Sequence, residues 1–287
     1  VDLLYRLGRL FEEKLSKIDE AVDHYAEALK IDPLHRNTVT ALEAYLGEGV
    51  SQRRRVAGIL VAYYERTESW EELARGLEIL LEGVDEGEER LELMKRLSGI
   101  YGRKLGDVER ALRNCLRIFD DEPGDEENRQ TLRELASLEG EWDKVIEKYG
   151  EALEEAEGNL RRDLSWELAK VYDESLHQPG EARRYFEQVL KIDEMHDPTF
   201  TALRRILQET EDYQALRDLL HRRVELLVDV DEKKELLFQV CNLDEDVLGD
   251  TASAVTSYKE ILELEPGNPR AFSALERLYA GRGEWQE

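Results

Sequence analysis

The sequence predicts an all-α fold, a linear stack of about eight helical hairpins, and three observations carry that expectation. Alanines at Ala21, Ala111, Ala182 and Ala254 recur at spacings of 90, 71 and 72 residues, while Trp70, Trp142, Tyr213 and Trp285 recur at 72, 71 and 72. Two independent markers sharing one period signal a repeat architecture. The last period, Gly249 to Trp285, reads as one hairpin with marked ends. Gly249-Asp250 is a turn and helix-start signal, Ala254, Tyr258, Ile261 and Leu262 share one helical face, and Pro266-Gly267-Asn268-Pro269 breaks the helix. A second amphipathic run follows through Phe272, Leu275, Leu278 and Tyr279 to Gly281. Finally, 37% of the 287 residues are charged, 41% are hydrophobic and only 6 are proline, which suits helices with wide solvated faces over a packed core.

Each period holds two kinds of hairpin, so that one hairpin occupies ~36 residues. The first kind carries the alanine. Four residues beyond it stand Tyr25, Cys115, Phe186 and Tyr258; eight beyond stand Leu29, Phe119, Leu190 and Leu262. Six residues before it, Leu15, Leu105, Leu176 and Leu248 close the preceding helix against the turn. A small alanine lets two helices approach closely, and the larger residue beyond it fills the groove. A breaker then follows each time: IDPLH at Ile31, DEPGD at Asp121, IDEMHDP at Ile192 and LEPGNP at Leu264. The second kind carries the aromatic, with Leu60, Leu132, Leu203 and Leu275 ten residues before it.

These residues resemble the tetratricopeptide repeat. Its pattern is closest in IDEAVDHYAEALKIDP (18–33), GEARRYFEQVLKID (180–193) and TASAVTSYKEILELEP (251–266), with degenerate units over nearly the whole chain. The resemblance implies a right-handed α-α superhelical solenoid of about sixteen helices, in which the first helix of each hairpin lines a concave, ligand-holding face. One departure is that Leu7, Leu97 and Leu168 lie 14 residues before their alanine, one more than usual for the family. That predicts a longer turn between the two helices and leaves a HAT-like variant open.

The other departure is local. Ala21 to Trp70 spans 49 residues where the other periods span 31, so 18 residues are added between Leu42 and Leu60. Gly47-Glu48-Gly49 is expected to end one helix, and the stretch from Ser51 to Glu68 to supply an extra helix over about 51–67. The domain expectation is one solenoid over 1–287, cut from a longer array, with an insertion at 43–60. The extra helix carries Arg53, Arg54 and Arg55, whose plain reading is local pairing with acidic neighbours. Their alternative is a secondary docking spot for an acidic partner or a second copy.

Charge limits the partners. With 40 Lys and Arg against 66 Asp and Glu, the net charge of −26 repels phosphate and anionic lipid, so neither nucleic acid nor membrane insertion is expected. Cys115 and Cys241 fall in apolar stripes and read as core thiols of a reducing, cytoplasmic setting. The five histidines (His24, His35, His177, His196, His221) look scattered over different turns and faces. No metalloprotease, thiol-pair, phosphate-loop or nucleophile-elbow motif occurs, so the expectation is no enzyme, no cofactor and no metal.

Binding is the better reading. Aligned on Leu7, Leu97, Leu168 and Val240, the positions two before are Tyr5, Lys95, Trp166 and Phe238. Five and six after stand Glu12 and Glu13, Gly102 and Arg103, Asp173 and Glu174, and Glu245 and Asp246. On the concave face that the resemblance implies, this sets aromatic platforms beside carboxylates, suited to a protein or peptide carrying a basic or aromatic segment. Packing between repeats is the plainer account of the same aromatics. The expected function is a protein–protein interaction module or adaptor, for which Trp166 and Phe238 are exposed. The alternative is a structural scaffold or spacer in a larger or self-associating complex, for which they are buried.

Overall fold

The computed structural model describes residues 1–282, and the repeat position expected at Trp285 lies outside them. Among the described residues there are sixteen α-helices and no strand, an all-α helical repeat. Two compact units divide the chain, Val1–Ala152 and Leu153–Glu287, with the boundary inside the ninth helix.

The first unit holds α1 (Asp2–Glu13), α2 (Ile18–Ile31), α3 (Arg36–Glu43), α4 (Arg53–Arg66), α5 (Trp70–Leu81), α6 (Glu88–Gly99), α7 (Val108–Asp121), α8 (Glu126–Glu139) and most of α9 (Trp142–Glu155). The second holds α10 (Gly158–Lys170), α11 (Pro179–Ile192), α12 (Asp197–Glu209), α13 (Tyr213–Leu226), α14 (Val230–Asn242), α15 (Thr251–Leu264) and α16 (Pro269–Arg282). In each unit the substantial contacts join helices adjacent in sequence, α1 with α2, α4 with α5, α6 with α7, α10 with α11, α14 with α15. That is how hairpins too small to bury both faces share a core with their neighbours.

The repeat markers occupy equivalent places. Ala21, Ala111, Ala182 and Ala254 are fully buried, and Tyr25, Cys115, Phe186 and Tyr258 lie inside beside them. Leu60, Leu132, Leu203 and Leu275 are buried too. Trp70, Trp142 and Tyr213 each open a helix: α5, α9 and α13.

In the second, third and fourth alanine-type hairpins the extra residue lies in a helix, which corrects the longer turn expected after Leu97 and Leu168, while in the first a turn of four residues separates α1 from α2. Helices α6, α10 and α14 run on into π-helical turns, Ile100–Leu105, Val171–Ser175 and Leu243–Leu248. Backbone bonds five residues apart mark them, from Gly106 to Tyr101, Leu176 to Val171 and Gly249 to Asp244. A π turn absorbs one residue without opening the hydrogen-bond ladder. Only Gly106-Asp107 then separates the first of these turns from α7.

The insertion splits one helix into two. His35 and His196 both precede a helix and both bond a threonine three residues on, so α3 begins as α12 does. Yet α3 stops at Glu43, before Gly47, and α4 starts at Arg53. Thr67 and Thr210 then close α4 and α12 alike, through hydroxyl bonds to Tyr63 and Ile206. Leu42 and Leu60 are both fully buried and both take the role that Leu203 plays once.

Seven hairpin turns pass through the left-handed region at one residue. Gly106 and Gly249 do so after the π turns and Gly140 after α8, while Ser16, Glu68, His177 and Glu211 hold φ between 51° and 55° at the equivalent positions. A side chain there costs about 1–2 kcal/mol, partly offset by the greater freedom glycine has in the unfolded chain. Glu211→Gly is therefore expected to stabilise by about 0.5–1 kcal/mol, and Gly140→Glu to destabilise by at least as much, read from urea unfolding midpoints.

Candidate functional site

The column Tyr5, Lys95, Trp166, Phe238 starts each alanine-type hairpin, and what it touches decides what it can do. Tyr5 packs on Tyr25 (centroids 6.0 Å apart) and edge-on to His35 (5.7 Å). Trp166 repeats this against Phe186 (5.4 Å) and His196 (5.1 Å). Phe238 lies 6.3 Å from Tyr258, with the Arg270 guanidinium 4.0 Å over its ring. Phe238 is only 6% exposed, which corrects the exposure expected of that ring, while Tyr5 and Trp166 are half-buried; all three join the two helices of a hairpin to the start of the next. The histidine reading is corrected too. His35 and His196 are equivalent and each bonds a buried threonine hydroxyl, Thr38 or Thr199, at 2.7 Å. The shared His-x-x-Thr spacing was the sequence signal for them.

The acids divide in the same way. Glu12 accepts the Tyr25 hydroxyl and Glu245 the Tyr258 hydroxyl, both at 2.7 Å. Burial, then the carboxylate bond, pushes both phenols well above the ordinary tyrosine range. Glu245 also pairs with Arg277, and Asp173 with Arg205. Glu13 (paired with Arg9), Glu174 (4.0 Å from Lys170), Lys95 and Asp246 face solvent. The arginine triplet is consumed internally: Arg53 binds Glu82 and the Leu46 carbonyl, Arg54 the Gly83 carbonyl, and Arg55 Asp23. In the fourth alanine hairpin, fully buried Asp244 stands where Phe11, Tyr101 and Tyr172 stand in the others. Burial raises its carboxyl pKa against the pull of Arg217, 3.5 Å away.

The second alanine hairpin breaks the pattern. At the two ring positions it has Lys95 and Cys115, and at the neighbouring positions Ser98, Gly99 and Gly102. The Lys95 ammonium turns to Asp125 at 2.5 Å, in the place of the Trp166–His196 contact. Burial raises the Asp125 carboxyl, but Lys95 and the α8 amides outweigh it and hold it below the ordinary range. Asp125 also caps α8 by accepting from the Asn128 amide. Cys115 sits 2.9 Å from the Ser98 hydroxyl, and burial pushes its thiol up. Beside these positions α6, α7 and α8 line an open cleft of about 1010 Å³, with Ile118, Leu135 and Leu138 among polar and charged residues. Its size reaches the upper end of the ~300–1,000 Å³ usual for ligand pockets. Among the described residues no three His, Cys, Asp or Glu side chains converge on a metal-binding point, and no helix is long and apolar enough to cross a membrane.

Residues 1–33 match the family model of the tetratricopeptide repeat. The chain is 23% identical over 296 residues to a TPR repeat-containing protein of Methanocaldococcus jannaschii. The chain is a helical-repeat protein similar to the tetratricopeptide repeats. That alignment takes in 95% of the TPR-like chain but 46% of the relative, so the chain spans about half the length of the curated relative it matches. Among solved structures it is similar to the C-terminal part of a TPR repeat-containing protein from Cytophaga hutchinsonii (14% identity, 88% of this chain and 98% of that one, TM-score 0.41). Another is a tetratricopeptide repeat protein from Parabacteroides merdae (12% identity, 96% and 98%, TM-score 0.33).

Within this TPR-like chain the cavity is the feature that sequence reasoning missed. Cys115 reads as a core thiol, which it is, and Lys95 as a groove residue. Only reading the column Tyr25, Cys115, Phe186, Tyr258 together with Tyr5, Lys95, Trp166, Phe238 shows that one hairpin lacks both rings at once.

Proposed function

We propose that this TPR-like chain is a protein-interaction module whose first-in-hairpin helices carry the docking surface, centred on the second alanine-type hairpin. The observation that supports this most is the open cleft on α6, α7 and α8, of about 1010 Å³ against about 290 and 300 Å³ for two clefts of the second unit. The surrounding acids and the chain's net charge of −26 favour a partner with basic character. A structural role, as a spacer or scaffold, has one specific observation behind it, the use of Phe238 and Trp166 as packing residues.

A selection from a random peptide library on the immobilised chain tests the reading. Enriched peptides are expected to slow amide hydrogen exchange on α6 and on other first-in-hairpin helices. A library that enriches nothing, joined with concentration-dependent self-association in sedimentation, replaces the module with the scaffold.

A further inference from the structure

We propose that the cavity between α6, α7 and α8 receives one aromatic side chain of a partner protein, presented on a segment with lysine or arginine beside it. This rests on the interaction reading above and names its ligand.

The chain itself supplies the template. Three alanine-type hairpins fill the equivalent space with a ring from each of two helices: Tyr5 with Tyr25, Trp166 with Phe186, Phe238 with Tyr258. The second hairpin has the helix, π turn and helix order of the third and fourth, but Lys95 and Cys115 stand at its ring positions and a cleft lies beside them. Lys95 does not refill it, because its head is held by Asp125 at the start of α8. Gly99 makes the mouth roomy, since a Cβ added there would meet nothing within 4 Å. Leu91, Val108, Ile118, Leu135 and the 73% exposed Leu138 give the cleft an apolar strip among polar and charged residues.

Charge selects the neighbours of the ring. Glu88, Glu92, Glu122 and Glu127 surround the cavity and have no ion-pair partner among the described residues. Of the cations on the lining, Lys95 pairs with Asp125, Arg96 lies 3.6 Å from Glu65, and Arg103 is outnumbered by the glutamates. A cationic segment therefore meets uncompensated carboxylates while its ring enters the apolar space, the arrangement that combines side-chain burial with long-range attraction. An anionic segment meets repulsion at the same rim.

The test uses nitrogen-15-labelled protein and an acetylated, amidated heptapeptide with a central tryptophan flanked on each side by two lysines and an end glycine. Two control peptides replace the tryptophan with alanine or the lysines with glutamate. The tryptophan peptide is expected to shift the amides of Ser98, Gly99 and Gly102, with the alanine peptide weaker by about tenfold or more, equivalent to about 1.4 kcal/mol. The glutamate peptide is expected to leave those amides unmoved. Combining Lys95→Trp, Ser98→Ala and Cys115→Phe rebuilds the third hairpin's set and should abolish binding while the melting temperature holds or rises. Should that variant fail to fold by circular dichroism, Gly99→Trp plugs the mouth from a position free of contacts and gives the same readout. Equal affinity for the alanine peptide, undiminished binding by the plugged protein, or no shift at these amides up to millimolar peptide overturns the proposal. Library peptides that protect other helices while these probes fail would leave the interaction module standing and remove only its ligand.

Discussion

Phe186→Ala is expected to destabilise the second unit by about 3–5 kcal/mol, the range for truncating a buried aromatic. Phe186 is 1% exposed and lies in one cluster with Ala169, Ala182, Leu190, Leu203 and Ile206, with Trp166 against its ring. Its removal takes contacts from three helices at once, α10, α11 and α12. Ala182 and Ala169 are too small to collapse into the space, and Trp166 is held edge-on by His196, so the cavity persists. Because each helix leans chiefly on those adjacent in sequence, the loss should be graded. Hydrogen exchange should quicken most in α10 to α12 and least in α16. A uniform increase across α10 to α16 would show that this unit unfolds as one cooperative block.

The periodic part of this arrangement was legible in the sequence. Ala21, Ala111, Ala182 and Ala254 mark sites where only a methyl fits, and such sites leave a fixed-interval trace. The helix breaks were legible because proline, glycine and aspartate act locally. The π turns were not: an inserted residue leaves one extra position in a spacing, and nothing in composition says whether a loop or a helix absorbs it. The fate of Tyr5, Trp166 and Phe238 was also ambiguous, because a residue on the edge of a helical stripe faces solvent or a neighbour according to a rotation of a few tens of degrees. The cavity was hidden for another reason. A missing side chain has no signature of its own, and Cys115 becomes informative only beside the Tyr25, Phe186 and Tyr258 of its column.

Gly8→Ala is the second large effect, and its sign depends on a partner. Alanine is a better helix former than glycine by about 1 kcal/mol, so α1 viewed alone gains from the change. In the folded chain the added Cβ would lie 2.4 Å from Tyr25 Cε1, 2.6 Å from Cδ1 and 2.9 Å from Cζ. The ring cannot swing away cheaply: Tyr25 is fully buried, packs on Tyr5, and donates its hydroxyl to Glu12. Overpacking of this kind costs about 1–3 kcal/mol, and with three ring atoms inside contact distance the upper part of that range outweighs the propensity gain. The equivalent positions Ala169 and Cys241 carry a Cβ beside Phe186 and Tyr258, so the clash at Gly8 comes from where the Tyr25 ring lies and not from the position itself. With Tyr25→Ala already in place the obstacle is gone, and Gly8→Ala should then stabilise by up to about 1 kcal/mol. A double-mutant cycle in urea reads both values, and an unchanged sign in the Tyr25→Ala background would sink this account of why α1 carries a glycine in its buried face.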